Sequence, residues 1–188
     1  MHTFAQLYAT LDETTRTSVK IEALANYFEH ADPADAAWAL FFLIGRRPRQ
    51  AVPLPALRAW AIDAAGIPDW LFGECYDAVG DFAETVTLLL PEPDKWTADV
   101  DRSVLPFDGP QPLHRWVEDV LLPLRDRDEM AQRAIVRAVW ATLGGTERFV
   151  WNKLITGAFR VGVSQQLVER ACPCQWRRFV HDCASSDG

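Results

Sequence analysis

The chain has 188 residues, of which 49% are hydrophobic and 24% are charged. This balance is typical of one globular domain or two closely packed lobes, and it excludes a disordered or fibrous protein. The longest apolar run, residues 36–45, is much shorter than the roughly 20 residues that cross a bilayer. No basic segment followed by an apolar one opens the chain, so we expect a soluble, cytoplasmic protein without a membrane partner.

The formal net charge of −7 argues against a generally basic coat for nucleic acid. The charges are unevenly distributed, however. Residues 1–110 contain 8 Lys and Arg against 17 Asp and Glu, whereas residues 111–171 contain 9 against 7. We therefore expect an anionic partner to contact the C-terminal half of the chain, or a local cluster of cations.

Apolar residues recur with helical spacing from the start of the chain, which predicts two amphipathic helices, the second with Ser18 as its N-cap. Asp32 is the predicted N-cap of a third helix that has Pro33 at its first position and ends at Gly45. Because this third helix is apolar on nearly every side, we expect it to lie in the core.

Further helices are predicted over residues 56–65, 68–79 and 81–90. Asp81 and Glu84 have the spacing of a capping box, which favours a helix over a strand in the last of these. The capping box also explains both carboxylates without a catalytic role.

Residues 91–112 contain five prolines and little periodicity, which predicts a loop between two helical lobes, residues 1–90 and 113–171. Thr146 and Ser164 are predicted N-caps in the second lobe. Its helices are expected over residues 113–124, 128–143, 147–155 and 164–171. No stretch alternates for long enough to form a sheet, so the fold class is all-α.

The segment 152–166 places cations, hydroxyls and two glycines around a predicted turn before a helix N-terminus. Backbone amides in such a turn suit a phosphate, and glycines allow a duplex backbone to approach closely. An ordinary connection between two helices is an equally good interpretation at this point. The residues concerned are Lys153, Thr156, Gly157, Arg160, Gly162 and Ser164.

The last seventeen residues, 172–188, lack a helical pattern and are predicted to be an aberrant or disordered tail. Cys172, Cys174, His181 and Cys183 have the side chains that zinc prefers, but their spacing departs from that of zinc sites. Free thiols are the favoured interpretation, and no metal site is predicted. The eight tryptophans are spread over helical core positions rather than clustered with cations as a base-stacking surface would require.

Signatures of a self-contained nucleotide-using enzyme are absent from the sequence. It has no glycine-rich phosphate loop, and none of its three lysines begins a Lys-x-Asp-Gly motif. We therefore expect no cofactor and no catalytic residue in this chain.

Several separated sequence blocks stand out along the chain. They are FAQLYATLDETTRT (4–17), KIEAL (20–24) with the Tyr27-Phe28 pair, DAAWAL (35–40), VGDFAET (79–85), and the segment from Lys153-Leu154 to FRVGVS (159–164). These blocks resemble, in the same order, the N-terminal DNA-binding domain of bacterial ATP-dependent DNA ligases, and the resemblance spans residues 4–171.

The resemblance implies an all-helical module that holds nicked double-stranded DNA by its sugar-phosphate backbone during repair, replication or recombination. It places the family's duplex-gripping turn on Lys153, Thr156, Gly157, Arg160, Gly162 and Ser164. Arg16, Lys20, Arg46 and Arg47 are further candidates, for which a solvated surface charge is the alternative.

In the family, a nucleotidyltransferase domain with the adenylated lysine and an OB-fold domain follow, and sealing uses ATP and Mg²⁺. Because the resemblance stops near Ala171, we expect a truncated or frameshifted ligase that does not seal nicks alone, with a catalytic domain as partner if one is encoded separately. The alternatives are a stand-alone DNA-binding protein and a non-catalytic helical adaptor.

If the predicted turn binds phosphate, Arg160→Glu should weaken duplex binding at low salt without loss of helicity. Fluorescence anisotropy and circular dichroism measure the two quantities. Unchanged affinity would remove Arg160 from the binding surface.

Overall fold

The computed structural model describes residues 1–96, 100–159 and 162–171, and within these ranges the chain is helical with no β-strand. The all-α prediction is confirmed. No helix in these ranges combines the length and the apolar character needed to cross a membrane. The helices are α1 His2–Glu13, α2 Thr17–His30, α3 Pro33–Leu43, α4 Leu54–Ala65, α5 Asp69–Val79, α6 Phe82–Leu89, α7 Leu113–Arg115, α8 Leu122–Leu124, α9 Glu129–Thr142, α10 Gly145–Thr156 and α11 Gln165–Ala171.

Packing divides the chain into two compact units whose segments alternate along the sequence. Unit 1 contains Met1–Arg47, Pro112–His114 and the described residues from Phe159 onward. Unit 2 contains Pro48–Gln111 and Arg115–Ala158. The sequence instead predicts two lobes, residues 1–90 and 113–171, joined by a loop. That division into domains stays a prediction.

Unit 1 contains α1, α2, α3 and α11, with α1 and α11 both packed against α2. An aromatic cluster fills its centre. The Phe159 ring stacks on Phe4 with 5.6 Å between ring centroids, packs edge-to-face with Tyr8 at 4.9 Å, and lies tilted against Phe42 at 5.9 Å. Phe159 therefore anchors the segment that leads into α11, a role that its place beside a predicted turn did not indicate.

Unit 2 is organised around α10, which makes its most extensive packing with α6. Three tryptophans, Trp116, Trp140 and Trp151, are fully buried, as predicted for core positions. Trp70 does not fit the prediction, because α5 buries only Phe72 and leaves Trp70 68% exposed. The described parts of residues 91–112 form two short 3₁₀ turns, Pro93–Lys95 and Arg102–Val104, which pack on α9.

The helix predicted over residues 113–124 is continuous but not regular. Between α7 and α8 it adopts π-helical geometry over Trp116–Leu121, and the Leu122 amide donates to the carbonyl of Val117, five residues earlier. Pro123 explains the irregularity, since proline has no amide hydrogen and its ring clashes with the carbonyl of the preceding turn.

Most predicted helix starts agree with the structure, and their caps show why. Asp32, Asp81 and Asp128 each accept a hydrogen bond from an amide in the first turn of α3, α6 and α9, at 2.9, 2.9 and 2.8 Å. The Ser164 hydroxyl accepts from the Leu167 amide at 3.3 Å, as predicted for the cap of α11. Side-chain caps of this kind contribute about 1 kcal/mol each.

Two predicted caps are wrong. Arg16, not Ser18, is the N-cap of α2, because the Lys20 amide already donates to the Arg16 carbonyl. Thr146 lies inside α10, whose N-cap is Gly144. A side chain at Gly144 would come within 3.0 Å of the Pro93 ring, so close packing selects glycine there. The fourth helix also begins earlier than predicted, at Leu54.

Arg148 on α10 is fully buried and satisfies carbonyl groups at the ends of two other helices. Its guanidinium donates to the Leu143 carbonyl at 2.8 Å, beyond α9, and to Leu90 at 3.3 Å and Pro91 at 2.8 Å, beyond α6. Burial lowers the pKa of Arg148, while the nearby Glu92 carboxylate raises it.

We expect Arg148→Met to lower the free energy of unfolding by on the order of 3 kcal/mol or more, because each buried acceptor left unpaired costs about 1–3 kcal/mol. Arg148→Lys should recover only part of this loss, since an ammonium cannot reproduce the planar fork. Urea unfolding followed by circular dichroism measures the effect. Arg127→Met, at an exposed position, is the matched control and should be nearly neutral; equal losses in the two methionine variants would contradict this account.

Candidate nucleic-acid interface

The predicted DNA-binding residues are divided between the two units. Lys153, Thr156 and Gly157 are at the C-terminal end of α10 in unit 2. Gly162, Ser164, Arg16, Lys20, Arg46 and Arg47 belong to unit 1. Arg160 lies outside the described residues, and so does the Cys-containing tail, for which the sequence predicts free thiols and no metal site.

The end of α10 is held by its own backbone. Gly157 adopts a left-handed conformation with φ of 68°, and its amide donates to the Leu154 carbonyl at 3.3 Å. The Thr156 hydroxyl donates to the Asn152 carbonyl at 2.7 Å, inside the helix. Both residues thus have a local part in ending the helix, in addition to the predicted DNA contact.

Lys153 is only 8% exposed, and its ammonium forms an ion pair with the Asp81 carboxylate. The same carboxylate caps α6 by accepting from the Glu84 amide, so the pair links α10 to the start of α6. The ammonium also lies 5.2 Å from the centre of the Phe149 ring. A phosphate contact by Lys153 stays a prediction. In the structure, the Lys153 ammonium connects α10 to α6 through its ion pair with Asp81.

In unit 1 the structure brings Lys20 and Gly162 together, although 142 positions separate them in the sequence. The Lys20 Nζ atom donates to the Gly162 carbonyl at 3.2 Å. Gly162 has a φ of 58°, and a Cβ atom there would lie 3.3 Å from that Nζ atom. Glycine therefore allows both the backbone conformation and the approach of the lysine.

Arg16 lies one turn before Lys20, and the Lys20 amide donates to the Arg16 carbonyl at 3.2 Å. The Arg16 side chain is exposed, and no side chain caps the first turn of α2. Ser164, two residues after Gly162, is also exposed. We refer to Arg16, Lys20, Gly162 and Ser164 as the α2 N-terminal patch.

Arg46 and Arg47 follow the end of α3. The Arg46 amide donates to the Phe41 carbonyl at 3.1 Å and its side chain is half-buried, whereas the Arg47 side chain is exposed. Arg170, in the last turn of α11, is an exposed cation of unit 1 that the sequence interpretation did not include. The sequence did contain a signal for Arg170, because it lies near the end of the helix for which Ser164 is the predicted N-cap.

No group of three His, Cys, Asp or Glu side chains in the described ranges is arranged to hold a metal ion. The predicted contacts consist of cations, hydroxyls and backbone groups, which are the groups that contact phosphate in protein–DNA complexes.

A family model described as DNA ligase N terminus matches residues 1–172. The chain therefore belongs to the family of N-terminal domains of ATP-dependent DNA ligases, as its sequence blocks indicated. A search of curated proteins finds no match to it.

Lys153→Met removes the ion-pair partner of Asp81, which is also the N-cap of α6. We expect it to destabilise unit 2 by about 1.5–3 kcal/mol, the range for a hydrogen bond to a charged group. A double-mutant cycle with Asp81→Asn, followed by urea unfolding, isolates the pair. We expect a coupling energy of at least about 1 kcal/mol. A coupling near zero would show that the two side chains act independently.

Proposed function

We propose that this chain holds nicked double-stranded DNA for sealing by an ATP-dependent DNA ligase, and that the α2 N-terminal patch contacts the sugar-phosphate backbone. The observation that carries the proposal is the hydrogen bond from the Lys20 ammonium to the Gly162 carbonyl, made from the first turn of α2, which has no side-chain cap. This bond brings a largely buried cation beside Gly162, and the exposed Arg16 lies one turn earlier. The family to which the chain belongs supports DNA binding in general, whereas the assignment to this patch rests on the Lys20 contact and the exposure of Arg16.

Phosphate is a suitable ligand for this patch for two reasons. The first amides of α2 have no partner within the helix and no side-chain cap, and the helix dipole places partial positive charge there. Arg16 adds a full positive charge at the same turn and is exposed to solvent. A patch of this kind binds backbone without reading base edges, so we expect little sequence preference and strong salt dependence.

The chain's contribution to sealing is positioning. In the complete ligase, ATP and Mg²⁺ supply the adenylation and phosphoryl-transfer chemistry from other domains. The residues of this chain hold the duplex so that the two ends of the nick stay aligned, which lowers the entropic part of the barrier. We accordingly propose no catalytic residue here. Lys153, Thr156, Gly157, Arg46 and Arg47 remain candidate secondary contacts.

The proposal is tested by fluorescence anisotropy with labelled nicked and intact duplexes at two salt concentrations. Arg16→Glu should weaken binding at low salt by about tenfold or more, as expected for loss of a charge-assisted hydrogen bond. It should also lower the slope of log affinity against log salt by about 1.

Arg125→Glu is the matched control, because Arg125 is exposed, belongs to unit 2 and makes only a long contact of 3.9 Å with the neighbouring Asp126 carboxylate. It changes the net charge by the same amount and should have a much smaller effect. Equal losses in both variants would indicate a general charge effect, and absence of binding by a helical sample would favour the adaptor interpretation.

A further inference from the structure

Helix α5 of unit 2 has a face that the rest of the unit leaves uncovered. Of its eleven residues only Phe72 is buried, and the Phe72 ring packs on Phe82 of α6 with 6.0 Å between ring centroids. Two aromatic residues of the same helix lie in solvent, Trp70 at 68% exposed and Tyr76 at 41%. Aromatic rings stabilise a protein by leaving water, so two exposed rings on one short helix indicate a surface that another molecule covers.

Gly73 gives an independent indication that α5 contacts a partner. It lies inside the helix, three positions from Trp70 and three from Tyr76, and its φ is not positive. A Cβ atom at Gly73 would meet nothing within 4 Å. Glycine inside a helix is less stable than alanine, and neither the backbone conformation nor the packing of the described residues requires it here. Its missing side chain leaves a notch between the two aromatic residues, where another backbone can approach closely.

The charges around α5 indicate which partner fits. Residues 59–94 contain eight Asp and Glu and no Lys, Arg or His. Asp69 is paired with Arg58, but Glu74 and Asp77 are exposed and form no ion pair with another described residue. These carboxylates attract a cationic partner and repel phosphate. A second copy bound through the same face would bring like charges together, so a different, cationic molecule is favoured.

The spacing along α5 favours a helical partner. Trp70, Gly73 and Asp77 are separated by three and four positions, so they share one face of the helix. A second helix presents its side chains at the same intervals, and one of its ridges can lie along Gly73. An extended segment would gain no main-chain hydrogen bonds, because the amides inside an α-helix are already bonded.

We propose that α5 binds an amphipathic helix of a partner protein that carries Arg or Lys beside its apolar face. The partner's backbone approaches at Gly73, and its apolar side chains cover Trp70 and Tyr76. One cation lies over the Trp70 ring, within reach of Glu74 one turn along the helix. The face belongs to unit 2 and the proposed DNA contact to unit 1, so this inference does not rest on the proposed function.

The test uses the full chain and a fluorescein-labelled, alanine-rich helical peptide with leucine and arginine on one face. The same peptide with glutamate in place of arginine is the charge control. Fluorescence anisotropy should show saturable binding of the arginine peptide and none of the glutamate peptide. Trp70→Ala should lower the affinity by about tenfold or more, as expected for a central aromatic contact. Met130→Ala, at the 82% exposed position on α9, is the matched control and should leave the affinity unchanged.

Gly73→Ala separates binding from folding. The added methyl group has open space, so the better helix propensity of alanine should raise the melting temperature by about 2–4 °C. The same methyl group fills the notch and should weaken peptide binding by about tenfold. A role of Gly73 in folding alone predicts no such loss of binding.

Glu74→Gln should weaken peptide binding by about threefold and reduce its salt dependence, since it removes one exposed charge of the face. The exposed Glu29→Gln on α2 is its matched control. Duplex affinity should be unchanged in Trp70→Ala and Gly73→Ala, so this inference and the DNA-binding proposal can fail separately.

Three results would overturn the inference. The arginine peptide fails to bind, or Gly73→Ala binds it as tightly as the unsubstituted chain, or Glu29→Gln loses as much affinity as Glu74→Gln, which would indicate a general charge effect. In sedimentation velocity, a concentration-dependent dimer that Trp70→Ala abolishes would also overturn it, because the face would then be covered by a second copy of the chain.

Discussion

The buried guanidinium of Arg148 is the constraint on which unit 2 depends. Every helix ends with carbonyl groups that have no partner within the helix, and burying such an end without a donor is costly. From one position on α10, Arg148 donates to carbonyl groups that follow the ends of both α9 and α6. Three helices are thereby held in one arrangement by a single planar fork, with burial opposing its charge and Glu92 supporting it.

The remaining polar contacts of α10 follow from this arrangement. Asn152 accepts from the Trp140 indole at 2.8 Å, and Lys153, one residue later, pairs with the Asp81 cap of α6. Helix α10, which carries part of the predicted DNA-binding surface, thus uses these two polar side chains in internal contacts. In unit 1 Lys20 is equally buried, at 8% exposed, and also makes an internal contact, with the Gly162 carbonyl, but Arg16 one turn earlier remains exposed. This difference is why the proposed backbone contact is placed on unit 1.

An acidic chain can bind DNA when the charges that face the duplex are local cations, because phosphate contacts are screened beyond about 10 Å. Unit 1 carries charges of both signs, with Arg16 in the α2 N-terminal patch and the carboxylates of Glu22 and Glu29 in a separate hollow. The net charge of −7 is therefore compatible with the proposed duplex binding, and it is no guide to where a duplex would be held.

Interactions within one helical turn could be predicted from the sequence, since the partners are at most a few residues apart. The all-α class, most helix bounds, and the caps at Asp32, Asp81 and Ser164 are of this kind. The pairing of Lys153 with Asp81 across 72 positions, and of Lys20 with Gly162 across 142, was decided by tertiary packing. So was the burial of Arg148 against carbonyls 5 to 58 positions away. A periodic pattern shows that a residue faces the core, but only the packed helices show which side chain it meets there.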